Sequence, residues 1–224
     1  MTELVIFDLD GTLLNTIDDL ADSCNYILEK HGFTTHKTEK YYYFVGNGIR
    51  KLIERAAPSD CSAETLQAIF NDFMDYYQRH SADKTAPYEG IISTLEQLAA
   101  AGVKLAVASN KAQSAMEPLL THYFPTVKWA AAFGQRDGVP VKPNPQIVFD
   151  ILKTSGVEKE AAIYIGDTGT DMQTAANAGL FKIGAAWGFR TRKELAANGA
   201  DIIISHPKEL VKIVENSRNS AEIL

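Results

Sequence analysis

Leu4-Val5-Ile6-Phe7-Asp8-Leu9-Asp10-Gly11-Thr12 begins with four apolar residues in a row and ends on two carboxylates beside a glycine. An unbroken apolar run reads as a strand covered on both faces, as in the middle of a parallel sheet. Period-two alternation points Asp8 and Asp10 the same way unless the chain turns sharply, and Gly11 permits such a turn. An Asp-Gly turn without chemistry would also account for these residues. Two ionised carboxylates held close together are costly, which favours a proton or a metal ion between them.

Working outward, similar short apolar units recur at Lys104 to Ala108, Trp129 to Phe133, Ala161 to Ile165, Phe181 to Ala185 and Ile202 to Ile204. Helical patterns lie between most of them: Ile91 to Ala101 closed by Gly102, Asn144 to Ser155 closed by Gly156, and Asp171 to Ala178 closed by Gly179. Alternating strand and helix predicts an α/β fold with a doubly wound, mostly parallel sheet and ligands outside the carboxyl ends of its strands. From about Thr16 to Lys84 the alternation stops. Thr16 and Asp19 have capping-box spacing, followed by an apolar stripe of Leu20, Cys24, Ile27 and Leu28. A second stripe runs through Leu66, Ile69, Phe70, Phe73, Met74 and Tyr77. The expected organisation is an α/β core from residues 1–15 and 84–224 with an all-helical insertion over 16–83. The residues from about Ser217 read as a frayed tail.

The 224 residues are 46% hydrophobic and carry a formal charge of −6, from 22 basic and 28 acidic side chains. Scattered basic residues argue against nucleic acid as a partner. No apolar segment approaches the roughly 20 residues of a membrane span, and Leu4 to Phe7 is too short for a signal-peptide core, so a cytoplasmic protein is expected. Cys24 and Cys61 have no metal-ligand or paired spacing and read as buried thiols. The five histidines form no cluster.

Three later strand ends also carry polar groups. Ser109-Asn110 precedes the helical stretch from Gln113, where hydroxyl, amide and helix N–H groups would hold an anion, although capping alone would explain the pair equally well. Lys142 stands in Val141-Lys142-Pro143-Asn144-Pro145; a lysine there is more often solvated, yet its ammonium could reach a phosphate oxygen. Gly166-Asp167-Thr168-Gly169-Thr170-Asp171 adds two carboxylates, hard oxygen ligands of the kind Mg²⁺ takes.

Together, Asp8-Leu9-Asp10-Gly11-Thr12, Ser109, Lys142 and Gly166-Asp167 through Asp171 resemble the four motifs of the haloacid dehalogenase superfamily. The insertion lies where that superfamily places a substrate-covering cap. The resemblance implies Asp8 as a nucleophile forming an aspartyl-phosphate, Asp10 as acid and base, and Thr12, Ser109, Asn110 and Lys142 on the phosphate. It implies Mg²⁺ on the Asp8 carboxylate, the Asp10 backbone carbonyl and Asp167, with Asp171 close by. Four ionised carboxylates beside Lys142 alone would leave a charge of −3, which Mg²⁺ and one proton on Asp10 would neutralise. Thr12 is expected to steady Asp10.

Val45-Gly46-Asn47-Gly48-Ile49-Arg50-Lys51 resembles the cap loop of phosphoglycolate phosphatase-like members, with Gly46, Asn47 and Gly48 approaching substrate and Arg50 or Lys51 meeting its carboxylate. A plain turn with two solvated basic residues fits the same stretch. Asn15 stands where relatives often have an acidic residue, an expected influence on the hinge or on substrate entry. The implied activity is hydrolysis of a small phosphate monoester, 2-phosphoglycolate first, by a monomer or homodimer. A sugar phosphomutase, a nucleotidase or pyrophosphatase, and a silent binding module are the alternatives. Tyr41 to Phe44 reads as cap packing, and Trp187 to Arg190 receives no role.

Overall fold

The computed structural model describes residues 1–219, the side chains of 218 and 219 excepted. Its main sheet has the order β5-β4-β1-β6-β7-β8, every neighbouring pair parallel. These strands are β1 (Leu4–Phe7), β4 (Lys104–Ala112), β5 (Trp129–Gln135), β6 (Ala162–Gly166), β7 (Phe181–Ala185) and β8 (Ile202–Ile204). All four residues of β1 are buried, which explains its unbroken apolar run. Alternate residues serve opposite faces. Val5 and Phe7 pack with α5 (Ile91–Ala100), α6 (Gln113–Tyr123) and α10 (Lys208–Asn219), whereas Leu4 and Ile6 pack with α7 (Gln146–Ser155) and α8 (Gly169–Ala178). Each such side chain contributes about 1.5–3 kcal/mol on burial.

The chain moves from β1 to β4 and β5 on one side, then returns to β6, β7 and β8 on the other, so order reverses beside β1. That reversal opens a crevice at the carboxyl ends. The register matches Phe7 to Val107 and Ile165, which brings Asp8 level with Ala108 and Gly166.

Between β1 and β4 lies a four-helix unit: α1 (Ile17–Lys30), α2 (Thr38–Phe44), α3 (Ile49–Ala56) and α4 (Ala63–His80). It has its own core, including Leu20, Cys24, Tyr41, Leu52, Ile53, Ile69, Phe73 and Tyr77. Its two connections to the sheet pair as β2 (Leu14–Asn15) and β3 (Ala86–Pro87), antiparallel, with Asn15 opposite Ala86. Asn15 therefore stands in one of the two connections between the helical unit and the sheet. Among the described residues, no helix is long and apolar enough to cross a membrane.

Several local expectations are corrected. Thr16 is the residue before α1, but among the described residues its buried hydroxyl has no partner and does not cap the helix. Asp19 instead accepts from the Lys84 N–H at 2.9 Å and the Thr85 N–H at 2.8 Å, tying the start of α1 to the returning connection. The helix begins at Gln113 as expected, but Ser109-Asn110 does not cap it, because β4 continues to Ala112 alongside β5. Cys24 is buried, with burial pushing its thiol up to about 11, whereas Cys61 is only half-buried. Ser217 is helical, not frayed, and its hydroxyl contacts that of Thr2 at 2.7 Å; residues 220–224 lie outside the described residues.

Candidate active site

The strand ends converge on Asp8. Its Oδ1 accepts from the Leu9 N–H at 2.7 Å and lies 2.9 Å from Lys142 Nζ. Lys142 is not a solvated lysine: it is 3% exposed, and its ammonium also donates to Asp171 Oδ1 at 2.7 Å, the Ala108 carbonyl at 2.9 Å and the Tyr164 hydroxyl at 3.1 Å. Burial alone would strip such an ammonium of its proton, but Asp171 and Asp8 outweigh burial and hold its pKa well above the usual lysine range. Asn110 fixes the backbone from which Lys142 projects, accepting from the Lys142 N–H at 2.8 Å and donating to the Lys142 carbonyl at 3.2 Å.

Asp8, Asp167 and Asp171 each present a carboxylate oxygen within 4.8 Å of the others, all three buried. Burial pushes the Asp8 carboxyl well up, with Asp171 and Asp167 adding to the rise and Lys142 opposing it. Burial, then Asp171, raises Asp167 to about 7. A buried cluster that resists ionisation in this way has the donor chemistry of a hard divalent cation, whose charge replaces the missing protons. Asp171 is the least available of the three: Oδ1 accepts from Lys142, and Oδ2 accepts from the Thr168 N–H at 3.0 Å and hydroxyl at 2.6 Å in the capping box of α8. Its first task is to hold Lys142 and start α8.

Three expectations change here. The Thr12 hydroxyl donates to Asp167 Oδ1 at 3.1 Å, so it steadies Asp167 and not Asp10, and it is fully buried away from the cleft. Asp10 is held instead by Lys111, whose Nζ lies 3.1 Å from Asp10 Oδ1 and 2.8 Å from the Tyr77 hydroxyl. Lys111 is 4% exposed; burial works against its charge, but Asp10 and Tyr77 outweigh that and keep it protonated. With two ammoniums beside four carboxylates the formal charge is −2, which one divalent cation neutralises. Sequence reading missed Lys111, and its place directly after Ser109-Asn110 was the available signal.

The loop Trp187 to Arg190, given no role from sequence, closes the site from the far side. The Phe189 N–H donates to Asp167 Oδ2 at 2.7 Å and the Trp187 indole N–H to the Thr12 carbonyl at 3.0 Å. Gly11 and Gly188 flank Asp167 so tightly that a Cβ on either would collide with its carboxylate. Gly11 was legible as a turn residue, but its neighbour Asp167 was not.

A cleft lined by Asp8, Asp10, Ser109, Asn110, Lys111 and Lys142 runs beneath an apolar ceiling of Leu20, Val45, Ile49 and Leu52. Gly46 and Gly48 also line it. The loop that carries them is latched to the core. The Asn110 amide donates to the Gly46 carbonyl at 3.1 Å, Asn47 to the Thr170 hydroxyl at 3.2 Å, and Arg190 to the Val45 carbonyl at 3.0 Å. Arg50 and Lys51 are not in the cleft. Arg50 donates to Gln67 and stacks over Phe70, and Lys51 pairs with Glu54, all on the exposed side of α3, because helical rotation from Ile49 carries them away while Leu52 faces in.

Residues 5–185 match the family model for haloacid dehalogenase-like hydrolases. The chain belongs to this family. Among similar haloacid dehalogenase-like proteins is the phosphoglycolate phosphatase of Aquifex aeolicus, 30% identical over 95% of this chain and 97% of that protein. The phosphoglycolate phosphatase of Caulobacter vibrioides is 32% identical over 89% and 85%. A solved structure from Lactobacillus delbrueckii subsp. bulgaricus, provisionally named phosphoglycolate phosphatase, superposes with a TM-score of 0.90 at 30% identity, covering 96% of this chain and 99% of that one. The match of this haloacid dehalogenase-like hydrolase to these proteins thus runs over most of each chain.

Proposed function

We propose that this hydrolase is a Mg²⁺-dependent phosphatase of small phosphate monoesters, with 2-phosphoglycolate the first candidate substrate and residues 16–83 its cap. The observation that carries the reading is Asp8 beside Lys142 at the base of the cleft, ringed by carboxylates that ionise together only with added positive charge. The names of the relatives support the substrate.

In this reading an Asp8 oxygen attacks phosphorus and the ester P–O bond breaks, giving an aspartyl-phosphate. Asp10, at the mouth of the cleft, gives a proton to the departing oxygen and later takes one from the attacking water. Lys142 and Ser109 hold phosphoryl oxygens, and Asn110 keeps Lys142 and the Gly46 carbonyl in place. Mg²⁺, held by the Asp8 and Asp167 carboxylates and the Asp10 carbonyl with Asp171 behind them, would supply the charge that phosphoryl transfer requires. Leu20, Val45, Ile49 and Leu52 exclude water around the ester.

The test is phosphate release from 2-phosphoglycolate, nucleoside monophosphates, pyrophosphate and hexose phosphates, with and without Mg²⁺, with Asp8→Asn as control. Metal-dependent release lost in the control supports the reading. Isomerised hexose phosphate with little free phosphate would make the protein a mutase, and equal inactivity of both proteins on every ester would defeat the reading.

A further inference from the structure

Two cations line the cleft, and they differ in how far the protein satisfies them. Lys142 is committed to Asp8, Asp171, Tyr164 and the Ala108 carbonyl. The Lys111 ammonium has three N–H groups and gives two, to Asp10 and to the Tyr77 hydroxyl, while resting 4.8 Å from the centre of the Tyr77 ring. Among the described residues the third has no protein partner. The ceiling above it is apolar, and the cap's own basic residues, Arg50 and Lys51, lie outside the cleft.

We propose that Lys111 is the residue that determines specificity, receiving a second anionic group, a carboxylate, carried on the leaving-group side of the ester. The inference rests on the phosphatase reading and deepens it. Asp10 must reach the departing oxygen, so whatever is attached to that oxygen lies on the Asp10 side of the cleft, beside Lys111. A carboxylate there forms a charge-assisted bond with the unpartnered N–H and competes with Asp10 for the ammonium. A neutral leaving group offers Lys111 nothing. Tyr77, on cap helix α4, is a positioning residue: its hydroxyl sets the place of Lys111 when cap and core are together.

The test compares kcat/KM, with saturating Mg²⁺, for 2-phosphoglycolate, for 2-hydroxyethyl phosphate, which has similar size without the charge, and for p-nitrophenyl phosphate, whose leaving group departs without a proton. Wild type should prefer 2-phosphoglycolate to 2-hydroxyethyl phosphate by about 100-fold. Lys111→Met should reduce this preference to below about fivefold, with kcat/KM for 2-phosphoglycolate falling far more than that for either other ester. Tyr77→Phe, which keeps the ring and removes one hydroxyl, should give an intermediate preference and serves where Lys111→Met does not fold. An undiminished preference in the variant that folds overturns the inference. So does a parallel fall of both alkyl esters with p-nitrophenyl phosphate spared, which would make Lys111 only a support for Asp10. Absence of phosphate release from all three esters by wild type would instead defeat the phosphatase reading itself.

Discussion

Phe189 and Asp167 are joined by a 2.7 Å hydrogen bond from the backbone N–H of one to the carboxylate of the other, and a Cβ on the adjacent Gly188 would collide with Asp167 and the Gly11 carbonyl. The loop is therefore part of the carboxylate cluster. In Gly188→Ala the new methyl would meet both the Asp167 side chain and rigid backbone, so the loop must retreat and release Asp167. We expect the Mg²⁺ concentration for half-maximal activity to rise about 10- to 100-fold. Unchanged metal dependence, measured by titrating Mg²⁺ into the apo variant, would count against this role.

Thr12 offers a smaller version of the same experiment. Thr12→Val keeps the shape and removes the donor to Asp167, at a cost of about 1 kcal/mol in stability. Activity should need more Mg²⁺ while KM for the ester stays within about twofold. A raised KM with normal metal dependence would restore Thr12 to the phosphate.

Removing metal should give the fold an unusual response to pH. Burial holds the Asp167 carboxyl up at about 7, against about 3.9 in an unfolded chain. Between those values the folded state keeps a proton that the unfolded state has lost, so its stabilising effect is complete below about pH 4 and disappears as pH rises through about 7. Asp8, also raised, acts in the same direction. Metal-free protein should melt at a higher temperature at about pH 5.5 than at about pH 8, and Mg²⁺ should stabilise it more at the higher pH. Asp167→Asn should flatten the difference; a melting temperature indifferent to Mg²⁺ at both values would contradict the metal site.

The basic residues that follow the cap loop should matter little. Arg50→Ala and Lys51→Ala remove side chains engaged with Gln67, Phe70 and Glu54 outside the cleft, so kcat/KM should stay within about threefold, under roughly 0.7 kcal/mol of transition-state binding. A loss of about 50-fold on an anionic ester from either substitution would show that the cap carries the carboxylate receptor.

Sequence alone determined the parts whose causes are local. The apolar run Leu4 to Phe7 could only be a strand covered on both faces, and strands alternating with glycine-closed helices dictate a parallel sheet with its polar residues at the carboxyl ends. Asp8, Asp10 and Asp167 were visible because they follow the ends of such strands, and Lys142 and Asp171 because they stand just before or at the start of the next helix. Which partner each one meets depended on contacts between residues far apart in the chain. Thr12 reaches Asp167 across 155 positions, Lys111 reaches Asp10 across 101, and Tyr77 enters from helix α4. A local spacing such as Thr16 and Asp19 suggested a cap, yet the Asp19 carboxylate found two backbone N–H groups on the returning chain and took those instead. Charge and hydrogen-bonding capacity are properties of a residue, but burial decides how strongly they act, and only the tertiary structure sets burial.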